Sequence, residues 1–158
     1  LPAAYRVAYS KANSCFRIIW DSGASLCVSP CADDFVSIQP CTHESITGLG
    51  GKEEVVEGQG MLRWFVHCTD GTLRCLEMLG LYVPTSTVRL LSTSELLNIY
   101  EGETITMDHN TLTLSGKSSI PERKSVLAHH DQSSHLPTSI AYNQDSSTQD
   151  ISLLFSML

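Results

Sequence analysis

The chain contains no apolar run near the roughly 20 residues needed to span a bilayer. Its longest candidate, Ile151 to Leu158, is short and carries Ser152 and Ser156. Leu1 to Ser10 has no apolar stretch of the about 7–15 residues that a secretory signal requires. The first residue is Leu rather than Met, and the chain is read as a segment of a longer polypeptide. Positive charge is scarce: 10 Lys and Arg stand against 17 Asp and Glu, for a formal net charge of −7. A grip on nucleic acid wants clustered positive charge, so direct nucleic-acid binding is not expected, and neither is membrane insertion. The 158 residues, 42% hydrophobic, suffice for one core but not for two lobes of ordinary size. Six cysteines, at 15, 27, 31, 41, 68 and 75, invite disulfides by their even count. A chain of this length does not need them, and nothing points to an oxidising compartment, so reduced thiols are expected.

Composition divides the chain. Residues 1–13 read as a lead-in, 14–116 as one β-rich domain, and 117–158 as a polar, serine-rich linker, disordered or opening into a further region. Cys15 to Trp20 has the length of a buried strand. Ile46 to Gly51 is a glycine-rich turn, and Gly58 and Gly60 mark bulges in a strand from Glu54 to Val66. Asp70-Gly71 predicts a two-residue hairpin loop between Met61–Cys68 and Leu73–Val83. That loop would set Cys68 opposite Leu73 and Cys75 opposite Val66, leaving the two thiols on one face, beyond disulfide reach. A second hairpin spans Thr104–Met107 and Thr111–Leu114. Ser92-Thr93-Ser94-Glu95 is a capping box opening a short helix that Gly102 can end. Turns every 8–12 residues with one helix predict a small barrel or sandwich.

The stretch that carries chemistry is Ile18-Ile19-Trp20-Asp21-Ser22-Gly23-Ala24-Ser25. An apolar strand runs directly into a carboxylate, a hydroxyl and a glycine. A carboxylate seldom follows so apolar a strand without a use, because burying charge is costly. Two other features stand out less. Cys27, Cys31, Cys41 and His43 offer four zinc-ligand types, but their spacing matches no zinc motif, and they read as small packing residues with no metal. Glu53, Glu54 and Glu57 read as a solvated face.

Asp21-Ser22-Gly23-Ala24 after an apolar strand resembles the active-site motif of aspartic proteases. The triplet occurs once, and a single copy on a domain of about 100 residues resembles the retroviral kind, in which two chains each supply one Asp. Ile46-Thr47-Gly48-Leu49-Gly50-Gly51 looks like the flap that covers substrate. Leu81-Tyr82-Val83-Pro84, followed by Arg89-Leu90-Leu91-Ser92 and the capped helix, is similar to the protease segment of copia-type LTR retrotransposon Gag-Pol polyproteins. The resemblance covers about residues 14–116. It implies a mainly β, closed retropepsin-like barrel with one short helix near its C-terminal end. It implies an aspartic endopeptidase active as a homodimer, without cofactor, cleaving Gag-Pol peptide bonds in the cytoplasm within virus-like particles.

On that resemblance Asp21 is the catalytic carboxylate. Ser22 ties the two loops together, and Gly23 offers its carbonyl to substrate; Ala24 and Ser25 complete the substrate-contacting loop. Gly48, Leu49, Gly50 and Gly51 form the flap, and Leu90, Leu91 and Ser92 the second loop near the site. Ser25 stands where many retroviral enzymes carry an acidic residue; Ser92 stands where the usual retroviral enzyme carries glycine, a serine that copia-type sequences commonly show. The chemistry needs two carboxylates about 3 Å apart, which share one proton because both cannot ionise cheaply. One draws a proton from water while the other polarises the peptide carbonyl. The alternative is a retropepsin-like barrel that no longer cleaves, kept as a spacer or relic in such a polyprotein. A secreted, disulfide-bonded β domain is a third reading, which the expected reduced thiols oppose.

Overall fold

Alternation decides the long strands. A computed structural model describes residues 15–47 and 51–144. β1 (Cys15–Asp21) points Phe16, Ile18 and Trp20 into the core and Arg17 outward. β4 (Glu53–His67) buries Val56, Leu62, Trp64 and Val66, and β5 (Leu73–Tyr82) buries Leu76 and Met78. Period-two burial of this kind is what a sheet with one packed face requires. Between β1 and β4 lie β2 (Cys27–Ser29), a 3-10 turn (Ala32–Asp34) and β3 (Phe35–Thr47). After β5 come β6 (Leu90–Ser92), helix α1 (Thr93–Ile99), β7 (Thr104–Met107), β8 (Thr111–Ser115), β9 (Val126–His130) and β10 (Pro137–Tyr142). The protein is therefore mainly β with one short helix, as the turn spacing predicts. Among the described residues no helix is long and apolar enough to cross a membrane.

The strands pair in the order β3-β4-β5-β2-β6-β1-β10-β9-β8-β7, and β10 also pairs with β4. The β10–β4 ladder, Ala141 with Val66 and Tyr142 with Phe65, brings the pairing back to β4. β3 and the β7–β9 meander hang from that ring, the meander packing Leu112, Leu114, Val126 and Ala128 into the main core around Trp20 and Trp64. A smaller apolar cluster joins Val28, Val56 and Val83, with Ile46, Leu81 and Leu90 against it.

Four expectations are corrected. The stretch from 117 to 144 is not a linker: it supplies β9 and β10, and β10 pairs with β1 from Cys15–Tyr142 to Ile19–Thr138. Its apolar residues are few but sit at alternate positions, so Val126, Ala128 and Ala141 all face inward. A polar average conceals such spacing, and Pro137 is tolerated because it opens its strand. Residues 145–158 and the 1–13 lead-in lie outside the described residues.

The Asp70-Gly71 hairpin forms with a three-residue loop. Cys68 N–H donates to the Thr72 carbonyl, Gly71 N–H to the Cys68 carbonyl, and Gly71 takes φ +87°. Cys75 thus falls opposite Phe65, one position from the expected register. One residue of slip reverses the faces, and Cys68 is buried while Cys75 is exposed. Gly58 and Gly60 are not bulges either. The irregularities lie on β3, between Phe35 and Ser37 and between Pro40 and Glu44, while β4 stays in continuous register with β5. Gly60 instead lets β3 approach: a Cβ there would lie 1.7 Å from the Ser37 carbonyl oxygen.

The capping box closes on one side only. The Ser92 hydroxyl accepts the Glu95 N–H at 3.1 Å, but the Glu95 carboxylate turns to the Leu79 N–H of β5. Strand β2 covers only Gly80 to Tyr82 of β5. Below it the Leu79 and Glu77 amides are met by side chains instead, Glu95 and the Tyr100 hydroxyl. Backbone donors withdrawn from water rarely go unpaired, and here α1 and its C-cap residue supply what a longer β2 would have given.

Candidate functional site

Strand β1 ends at Asp21, with β10 pairing along Cys15 to Ile19 and β6 along Ile19 to Asp21. On one side lies antiparallel β10; on the other lies parallel β6, with Ile19 beside Leu90, Trp20 beside Leu91 and Asp21 beside Ser92. Trp20 is 2% exposed and its indole N–H donates to the Ser139 hydroxyl of β10 at 2.9 Å. The residue before Asp21 is therefore fixed by packing and by a directed bond. Asp21 falls on the opposite face to Trp20, is half-buried, and opens into the exposed pair Ser22-Gly23. A carboxylate at this position escapes the desolvation it would suffer one residue earlier.

The turn itself is an Asx turn, in which the Gly23 N–H donates to Asp21 Oδ1 at 2.8 Å. A Cβ at Gly23 would sit 3.3 Å from that oxygen, so a side chain there would crowd the carboxylate. Ala24 is half-buried, and its carbonyl accepts the Ser92 hydroxyl at 2.6 Å. Ser25 is exposed. The chain then returns inward at Cys27, whose sulfur accepts the Ser92 N–H at 3.3 Å. Burial pushes the Cys27 thiol up to about 12, so it stays protonated and takes part in packing rather than in ionic chemistry.

The structure brings the Asp21 loop and Leu90-Leu91-Ser92 together through the β1–β6 ladder and the Ser92 contacts. Leu91 and Ser92 are buried; Leu90 is half-buried and shares the smaller apolar cluster with Ile46, one pair short of the end of the β3–β4 hairpin. The hairpin stays paired up to Thr47 with Glu53. Gly51 has φ +77°, which glycine adopts without strain. The rest of the expected flap, Gly48, Leu49 and Gly50, lies outside the described residues. Glu53 and Glu57 are exposed, and Glu54 is half-buried.

Sequence reasoning missed the residues that brace β1 behind this loop. Asp34 is 1% exposed and ionically paired with Arg89 at 2.8 Å. It also accepts from the Trp64 indole N–H at 3.0 Å, the Asn143 amide at 3.0 Å and the Ser29 hydroxyl. These donors come from β4, from beyond β10, and from β2. Arg89 stacks 3.7 Å over the Phe16 ring, and its carbonyl accepts the Ile19 N–H at 2.9 Å. A buried carboxylate is tolerable when every oxygen is engaged and a cation lies beside it. The sequence signal was Asp33-Asp34 next to an apolar strand, but nothing local named partners 55 and 109 residues away.

Among the described residues no three His, Cys, Asp or Glu side chains gather as a metal site. The His43 side chain lies outside them. Comparison with family models, with curated proteins and with solved structures finds no match.

Proposed function

We propose that this chain is an aspartic endopeptidase of a copia-type retrotransposon polyprotein, a retropepsin-like barrel active as a homodimer with one Asp21 from each chain. The observation that carries the reading is Asp21 itself. It is a carboxylate at the end of a strand held by β6 at that end and by β10 behind it, opening onto an exposed turn that aims one of its oxygens at a backbone N–H. The ring of pairings through β4, β5, β2, β6, β1 and β10 supports reading the sheet as a small closed barrel. The β3–β4 hairpin, whose tip end packs through Ile46 in the same apolar cluster as Leu90, supports reading that tip as the flap.

The Asp-Ser-Gly triplet occurs once in the sequence, so the second carboxylate comes from a second copy. A two-fold axis between identical turns supplies it without a second motif. The two carboxylates titrate as one coupled pair sharing a proton. The ionised member takes a proton from water, which attacks the peptide carbonyl. The protonated member polarises that carbonyl and then protonates the leaving amine. The substrate is the surrounding Gag-Pol polyprotein, processed in the cytoplasm within virus-like particles. No cofactor enters this chemistry.

The test is cleavage of the chain's own flanking polyprotein at pH 5–7 by native protein and by Asp21→Asn. Native protein is expected to cleave, with pepstatin blocking it and dilution reducing the rate more steeply than in proportion. Asp21→Asn is expected to fold with native circular dichroism and to lose at least 1,000-fold in rate, about 4 kcal/mol of barrier. An active Asp21→Asn protein overturns the assignment. A folded native protein that cuts nothing returns the reading to an inert barrel.

A further inference from the structure

Ser92 lies beside one end of the Asp21 loop and is bonded to the other. As a backbone unit it is the register partner of Asp21 on the parallel β1–β6 ladder. As a side chain it is fully buried and reaches the loop's far end, donating its hydroxyl proton to the Ala24 carbonyl at 2.6 Å. A serine hydroxyl has one proton and two lone pairs. The proton is spent on Ala24, and a lone pair takes the Glu95 N–H at 3.1 Å. The Ser92 N–H completes the set at Cys27 Sγ, 3.3 Å away. Between the two tethered ends lies Gly23, whose N–H orients Asp21 Oδ1. Capping α1 does not by itself demand this residue, since glycine caps a helix nearly as well as serine. The Ala24 contact does demand it, because only a donor can meet that carbonyl.

We infer that the Ser92 hydroxyl is a positioning residue for the reaction at Asp21. Through the Ala24 carbonyl it locks the Asp21–Gly23 turn, and with it the carboxylate's orientation, to the start of α1. This rests on the reading of Asp21 as the catalytic carboxylate. It assigns the hydroxyl no contact with substrate. Its loss therefore acts on turnover more than on binding.

The full chain is compared with Ser92→Gly, which keeps a competent cap and removes the donor, and with Ser92→Thr, which restores a hydroxyl. Two readouts are taken: amide exchange at Gly23 by NMR, and kcat and KM on a peptide substrate. Ser92→Gly is expected to speed Gly23 exchange at least tenfold. It is expected to lower kcat at least tenfold with KM within twofold, while Ser92→Thr stays near native in both. Native Gly23 exchange in Ser92→Gly overturns the inference, as does faster exchange with kcat unchanged. Faster exchange where even the native chain cuts nothing supports the tether and removes the protease reading instead. Should Ser92→Gly fail to fold, Ser92→Cys, with similar volume and only a weak donor, carries the same comparison.

Discussion

Arg74 and Glu103 meet as a bidentate pair, at 2.6 and 2.7 Å, with side chains 1% and 0% exposed. Arg123 lies 3.4 Å from the same carboxylate, and both guanidinium groups lie against the Tyr100 ring. Exposed ion pairs contribute little, but removing one member of a buried pair strands the other without water. Glu103→Ala leaves two arginines facing an empty acceptor and is expected to cost about 3–5 kcal/mol in chemical denaturation. A loss below 1 kcal/mol would show that water enters the cluster. None of this was legible in the sequence, where Arg74, Glu103 and Arg123 are unremarkable charges separated by dozens of residues. The place of Asp21 at a strand end, by contrast, was legible, because its apolar strand, its carboxylate and its glycine are contiguous. The same distinction separates Ser92, marked as a helix cap by its neighbours, from its contact with Ala24, which only the fold creates.

At the level of elements, local patterns placed β1, the β4–β5 hairpin, α1 and the β7–β8 hairpin close to where they stand. Each is written in consecutive residues as an alternation, a turn or a cap. The short strands β2 and β6 and the irregular β3 left no such pattern, since three residues cannot show a period and bulges break one. The costliest omission was β10, which is polar on average yet lies between β1 and β9. A chain ending at residue 116 would lose β9, β10 and the Ser139 contact to Trp20. It is expected to be unfolded by circular dichroism, whereas a chain of residues 15–144 folds cooperatively. A folded, cooperative 15–116 fragment would show that β10 only decorates the sheet.

On the scale of the whole molecule, three aspartates at the surface of the described residues tie turns together and resist protonation. The Lys124 ammonium, followed by the Thr72 hydroxyl and N–H, holds Asp70 below the usual carboxylate range. The Asn110 and Thr111 N–H groups do so for Asp108, and the Ser133 hydroxyl with the Ser134 N–H and hydroxyl for Asp131. A carboxylate held low in the folded state contributes fully while pH exceeds its unfolded value near 3.8. Below that value the unfolded chain takes up protons that the native state refuses, and stability falls until the folded groups titrate too. Their contribution is therefore constant across the pH 5–7 assay range and declines below about pH 4. Thermal melts are expected to show the decline, with a shallower slope for Asp131→Asn. An equal slope in that variant would mean its turn is already open.

The bond between Trp20 and Ser139 spans 119 positions of sequence. The loop that precedes closure is long, and its entropy must be met before the contact returns anything. On a ribosome, the strand carrying Asp21 emerges early, but its neighbour on one side is among the last parts of the sheet to appear. For the interval between, β1 is an apolar strand with an open flank, and the acidic turn at its tip has no fixed place. The order of synthesis thus delays the site's assembly until nearly the whole sheet has left the tunnel.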